Sequence, residues 1–230
     1  MADLYYSNIE LNTMKIYKLR LTLLNHLFYF TEMTNGSRTG NFIGDLALTY
    51  AFRPYLAPAN KPIPFRDKPE YEEIKDWGYY CTMAMPERSQ PTNVYTKNTL
   101  FNTDGFFDTK SLEDTAKSPF KNLVHVQGVE AQSTFLCYLV SKNDLDIPPT
   151  IRVGNGRETL VAVEEIETSE QGDLWLNAYT HKIVFDNLEE VADLMAEEQI
   201  HDREYVLENY ILLKGFKKKH LPTIFNQTFN

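Results

Sequence analysis

Hydrophobic and polar positions first fall into a clear period at Lys15–Leu23. Tyr17, Leu19, Leu21 and Leu23 alternate with Lys18, Arg20 and Thr22. A period of two sends successive side chains to opposite faces of a strand, so one face is apolar and the other cationic and wet. The period then changes. Phe42 or Ile43, then Leu46 with Ala47, then Tyr50 share one side of a helix that runs from about residue 41 to 52 and stops before Pro54. A basic-faced strand followed by a helix covering its apolar side is how a small nucleic-acid-binding sheet begins.

Further along, Tyr79–Met85 alternates weakly as a strand, and Val124–Val126, Thr134–Val140, Thr150–Val153 and Thr159–Ile166 are strand-like. Leu174–Tyr179 reads as the hairpin partner of Thr159–Ile166, turning at Gln171–Asp173. Asn187–Gln199 reads as a helix with Asn187 as N-cap, Glu189 and Glu190 in its first turn, and Leu188, Val191, Ala192, Met195 and Ala196 on its apolar side. Glu204–Leu213 reads as a closing strand. Five prolines between residues 53 and 69 predict an extended connection, and Pro86–Lys121 shows no steady period and reads as a long loop or hairpin insertion. The order strand, helix, several strands, helix, strand predicts an α+β fold. It suits an RRM-like or ferredoxin-like antiparallel sheet with helices on one face and long insertions. At 230 residues and 43% hydrophobic content the chain is expected to form one domain over residues 1–230, with 53–125 as an insertion.

Charge qualifies the nucleic-acid reading. Asp and Glu outnumber Lys and Arg 32 to 23, for a net charge of -9. Phosphate attraction is the main sequence-independent term in nucleic-acid binding, so a free-standing binder is disfavoured and only a local basic patch serves. Two such patches exist. In Arg152, Gly154, Gly156 and Arg157, glycines allow close backbone approach and guanidinium groups fork onto phosphate oxygens, although an ordinary hairpin turn with solvated arginines reads the same way. Lys214, Lys217, Lys218, Lys219 and His220 form the densest patch. It opens like an RRM signature but lacks the aromatics that follow one, which suggests phosphate contact, or simply a charged tail. Lys18 and Arg20 on the first strand add to such a surface. Arg38 and Asn41, where the linker enters the first helix, suit an anion at a helix N-terminus, or a plain cap.

Other chemistry is thin. Cys81 and Cys137 have no CxxC partner, which suggests neither a disulfide framework nor a zinc site and points to a reducing, cytoplasmic setting. No metal or cofactor is expected. The richest apolar run, Leu19–Phe30, is broken by Arg20, Asn25 and His26, so no membrane segment is expected either. Five histidines lack metal-ligand spacing, and His220 beside its lysines is the one candidate for metal-free RNA cleavage by acid–base chemistry.

Leu27-Phe28-Tyr29, the glycine-bearing linker after it and the segment Asn41–Ala51 resemble the N-terminal part of the type I-D CRISPR Cas-five subunit, the Csc-one family. Pro148-Pro149-Thr150-Ile151-Arg152-Val153-Gly154 is similar to that family's central motif. The resemblance implies a RAMP fold and a non-catalytic subunit of a Cascade surveillance complex. Such a subunit grips the 5′ handle of the guide crRNA, joins the large subunit to the first backbone subunit, and sits near the protospacer-adjacent target DNA. Some Cas-five relatives of another subtype cut precursor RNA with a Tyr, Lys and His set, which does not map onto matching positions here. The alternative function is therefore a metal-independent endoribonuclease built on other residues.

Overall fold

The computed structural model describes residues 14–29, 32–33, 36–57, 70–98, 123–167, 172–200, 203–207, 210–225 and 228–229. In chain order it contains β1 (Lys15–Leu23), β2 (Glu32–Met33), β3 (Gly36–Arg38), α1 (Asp45–Leu56), a 3-10 turn at Tyr71–Asp76, β4 (Tyr79–Cys81), β5 (Met85–Arg88) and β6 (Tyr95–Asn98). Then come β7 (Leu123–Gln127), β8 (Thr134–Ser141), β9 (Thr150–Val153), β10 (Thr159–Ile166) and β11 (Asp173–Asn177). The last part holds α2 (Ala178–Ile183), α3 (Leu188–Glu197), β12 (Arg203–Leu207), β13 (Tyr210–Lys217) and α4 (Leu221–Phe225).

β1 is the centre of the main sheet. β8 and β10 pair with it on either side, β4 pairs with β8, and β9 with β10, giving the order β4-β8-β1-β10-β9. β5 continues the β4 edge along β8. All these pairings are antiparallel, so β1 and β4 run the same way with β8 between them and α1 in their connection. That is the split β-α-β unit of the RRM-like and RAMP fold. Where such a frame has its second helix, 142–149 leads from β8 to β9 with no helix. A second sheet, β11-β13-β12, joins the main one through the Met83–Trp175 bridge, and a third has the order β2-β3-β7-β6.

The core follows from the period of β1. Leu19, Leu21 and Leu23 are fully buried, and register places Cys137 and Phe135 of β8 and Val163 and Val161 of β10 beside them. Each large side chain so buried is worth about 1.5–3 kcal/mol. Opposite them Lys18, Arg20 and Thr22 are half-buried, so the expected wet face is partly covered.

Several sequence expectations are corrected. The helix begins at Asp45, after Phe42 and Ile43, because Ile43 is held in a bridge to Ala84. Pro54 lies in its last turn. Its buried positions are Asp45, Leu48, Thr49, Ala51, Phe52 and Arg53; Leu46 and Tyr50 lie on the flank and Ala47 is exposed. The hydrophobic pattern misses this because three buried positions are polar and hydrogen-bonded instead. β11 pairs with β13, not with β10, since alternation fixes a strand's faces and not its partner. The expected closing strand is the hairpin β12–β13. Asn187 does not cap α3 with its side chain; its Oδ1 accepts from His181 Nδ1 at 2.8 Å and its Nδ2 donates to the Ile224 carbonyl at 2.9 Å. The proline-rich stretch from 58 to 69 and most of the predicted long loop, 99–122, lie outside the described residues.

Candidate nucleic-acid interface

The β9–β10 hairpin brings four of the predicted residues together. Register pairs Arg152 with Leu160, and Val153 with Thr159. Ile151 and Val153 face the core, so alternation turns Arg152 outward, where it is exposed. The chain then turns through Gly154, at φ 81°, and a 3-10 turn at Asn155–Arg157 in which Gly156 has φ 64° and Arg157 φ 55°. Arg157 is exposed and its N–H donates to the Gly154 carbonyl at 3.1 Å. Neither guanidinium has a hydrogen bond or ion pair among the described residues.

This turn is clamped to the segment after β1. Asn25 Nδ2 donates to the Glu158 carbonyl at 3.2 Å, and Asn25 Oδ1 accepts from the Leu160 N–H at 2.7 Å. Thr159 Oγ1 donates to the His26 carbonyl at 2.9 Å. A Cβ on Gly154 would stand 3.0 Å from Leu27 Cδ1 and 3.2 Å from the Phe28 carbonyl oxygen, so close approach as well as φ requires glycine. Sequence reasoning missed Asn25 and Thr159. Their signal, a polar pair opposite one another, is visible only once β1 and β10 are known to be neighbours.

Lys18, Arg20 and Arg152 share one face of the main sheet by register. Arg20 is already engaged. Its Nε and Nη2 donate to the two Glu87 oxygens at 2.9 and 3.0 Å, and Nη1 donates to Glu164 at 3.4 Å. The Glu87 bond raises the Arg20 pKa, and the same bond holds the Glu87 carboxyl below the usual carboxylate range. Two carboxylates, Glu164 on the neighbouring β10 and Glu87 on β5 beyond β8, thus offset the one cation, which the sequence did not reveal.

The C-terminal cluster is divided in the same way. Lys214 and Lys217 lie in β13, and Lys218 and Lys219 start the 3-10 turn that follows. Lys217 pairs with Asp173, and Lys219 with Glu198. Its bond to Lys219, then that to His220, lowers the Glu198 pKa. His220 is buried. Its Nδ1 accepts the Lys217 N–H at 2.8 Å, which puts the ring proton on Nε2, 3.1 Å from Glu198. The cluster is therefore a brace in the second sheet, not a tail, and it does not join Arg152 at the β9 edge; Lys218 is half-buried with no ion pair among the described residues.

Arg38 is exposed on β3, opposite Gln127 of β7. Asn41 is exposed and its Oδ1 accepts from Ser89 Oγ. Neither stands at the helix N-terminus as expected, because α1 begins only at Asp45 and that end is sealed. The Asp45 N–H donates to Met83 Sδ at 3.2 Å, and its buried carboxylate accepts from Tyr80 Oη and Thr180 Oγ1, each at 2.5 Å, and from Asn177 Nδ2 at 3.2 Å. An external anion there would meet a carboxylate already in place.

Among the described residues no cluster of His, Cys, Asp and Glu could hold a metal ion, and no helix is long and apolar enough to cross a membrane. Cys81 and Cys137 are both buried, with free thiols whose sulfurs lie 3.6 Å apart, and burial pushes the Cys81 pKa well up.

Among solved structures, a chain of the type III-B Cmr-beta complex bound to cognate target RNA and AMPPnP is similar at 7% identity and a TM-score of 0.42, covering 93% of this chain and 90% of that one. No curated protein matches the chain. The family described as type I-D CRISPR-associated protein Cas5/Csc1 matches residues 14–229. That span takes in every strand and helix described above, and the chain belongs to the type I-D CRISPR Cas5/Csc1 family.

Proposed function

We propose that this chain is a non-catalytic, RNA-clamping subunit of a type I-D CRISPR surveillance complex of the Cascade kind. It grips the 5′ handle of the guide crRNA and bridges the large subunit to the backbone subunits, close to the protospacer-adjacent target DNA.

The observation that carries this reading is the β9–β10 turn. Two exposed guanidinium groups, without ion pairs among the described residues, stand beside positive-φ glycines on a turn fixed by three hydrogen bonds to residues 25 and 26. Guanidinium forks and open backbone N–H groups are the usual partners of a phosphate chain, and prior fixing removes part of the ordering entropy of binding. The net charge of -9 keeps affinity local, so firm RNA binding belongs to the assembled particle rather than to the free chain. The residue on which acid–base cleavage would rest, His220, is buried and engaged at both ring nitrogens.

The test is double charge reversal, Arg152→Glu with Arg157→Glu, in the reconstituted particle. Guide retention under a salt challenge is expected to fall at least tenfold while the variant chain keeps its circular dichroism and melting temperature. Unchanged retention would remove this turn from the RNA interface. Repeat RNA incubated with the wild-type chain in EDTA is expected to stay intact; specific cuts would favour the ribonuclease alternative.

A further inference from the structure

Beside the cationic turn lies a group of rings that phosphate contact does not use. Phe28 sits on the segment to which the turn is clamped. Its ring closes over Gly128, where a Cβ would stand 2.6 Å from the ring and 2.5 Å from the Leu27 carbonyl oxygen, so the ring is held from beneath. Two further rings stand edge-on against it. His26 lies at 6.4 Å and 79°, and Tyr95 at 6.1 Å and 68°. His26 is exposed, and its Nδ1 accepts the Ala131 N–H at 3.0 Å, which fixes the imidazole. Tyr95 is 45% exposed on β6 and Val94 before it is 59% exposed, so this ring lies outside the core.

We propose that His26, Phe28 and Tyr95 form a stacking platform for unpaired nucleobases of a single-stranded RNA whose phosphates run past Arg152 and Arg157. This rests on the RNA-clamping reading above and adds to it what is held: the bases as well as the backbone. Three features favour RNA over a protein partner. Two of the three rings, His26 and Tyr95, are exposed, and every base has a face to stack on one. The same three hydrogen bonds tie the segment carrying His26 and Phe28 to the arginine turn, and Tyr95 reaches that segment from β6 through its edge-on contact with Phe28. The exposed cations on the clamped turn, Arg152 and Arg157, match the charge of a phosphate chain.

The test uses the assembled particle with its guide, comparing wild type, Tyr95→Ala and Tyr95→Trp. A second set of guides carries one abasic site at each handle position in turn. Tyr95 is exposed, so its replacement leaves the core alone. Tyr95→Ala is expected to speed guide loss at least about fivefold, the lower end for one stacked base. Tyr95→Trp is expected to behave as wild type. One abasic position is expected to speed loss from the wild-type particle and to add nothing to Tyr95→Ala. If Tyr95→Ala releases guide at the wild-type rate while Arg152/Arg157 reversal accelerates release, the platform is overturned and the clamp stands. If neither accelerates release, both fail. Loss of a neighbouring subunit from Tyr95→Ala, with guide retention unchanged, makes this face a protein interface and also overturns the platform.

Discussion

Single residues decide what the candidate interface can do. Arg20 and Arg152 carry the same charge on the same face, yet one is held by Glu87 and Glu164 and the other is open. Gly154 is where the backbone has least room. Gly154→Ala sets a Cβ against Leu27 and the Phe28 carbonyl at a φ of 81°, and is expected to destabilise the chain by about 1–2 kcal/mol, read as a lowered midpoint in urea. His181 supplies a pH dependence. It is fully buried, and burial holds its imidazole below the ordinary range despite Asn187 and the nearby Asp45. The unfolded chain therefore binds the proton more readily, near pH 6.5, so stability present at neutral pH is lost as pH falls below that value. Wild type is expected to lose up to about 1.4 kcal/mol per pH unit in this window from the one group, and His181→Asn to show a shallower slope from a lower start. Denaturant melts at pH 7.5 and 5.5 measure both; equal slopes would contradict it.

Elements were legible to different degrees. β1 and its inward leucines follow directly from alternation, and β7 to β10 are legible as short strand-like runs of apolar and β-branched residues. The buried side of α1 was not legible, because Asp45, Thr49 and Arg53 are inside through polar partners that no hydropathy pattern shows. Nor was the partner of β11, which depends on pairing over some forty residues of chain. The arginine–glycine turn could be read in the sequence; the Asn25 and Thr159 clamp, and the acids that take up Arg20, Lys217 and Lys219, could not, since the partners lie far apart in sequence. At this scale, reversing Lys217 and Lys219 to Glu sets like charges beside Asp173 and Glu198. Because both pairs are largely exposed, the expected effect is small, seen as a slight fall in melting temperature. A collapse of the fold would mean that this brace matters far more than exposed ion pairs do.

For the whole molecule, the acidic balance and the small cationic turn act together. A chain with charge -9 repels RNA at long range, so on the proposed reading it is expected to bind only where other subunits have already positioned the strand. The free chain is thus expected to bind single-stranded RNA weakly, with affinity falling steeply between 50 and about 200 mM salt. The guide's 5′ handle is proposed to lie on the β9–β10 turn. The most direct measurement is photocrosslinking from 4-thiouridine placed at each handle position in the assembled particle, with the crosslinked peptides identified by mass spectrometry. Crosslinks from one or two adjacent handle positions to residues 152–157 are the predicted result. Handle crosslinks that all fall on other subunits, or on faces of this chain away from that turn, would contradict the account.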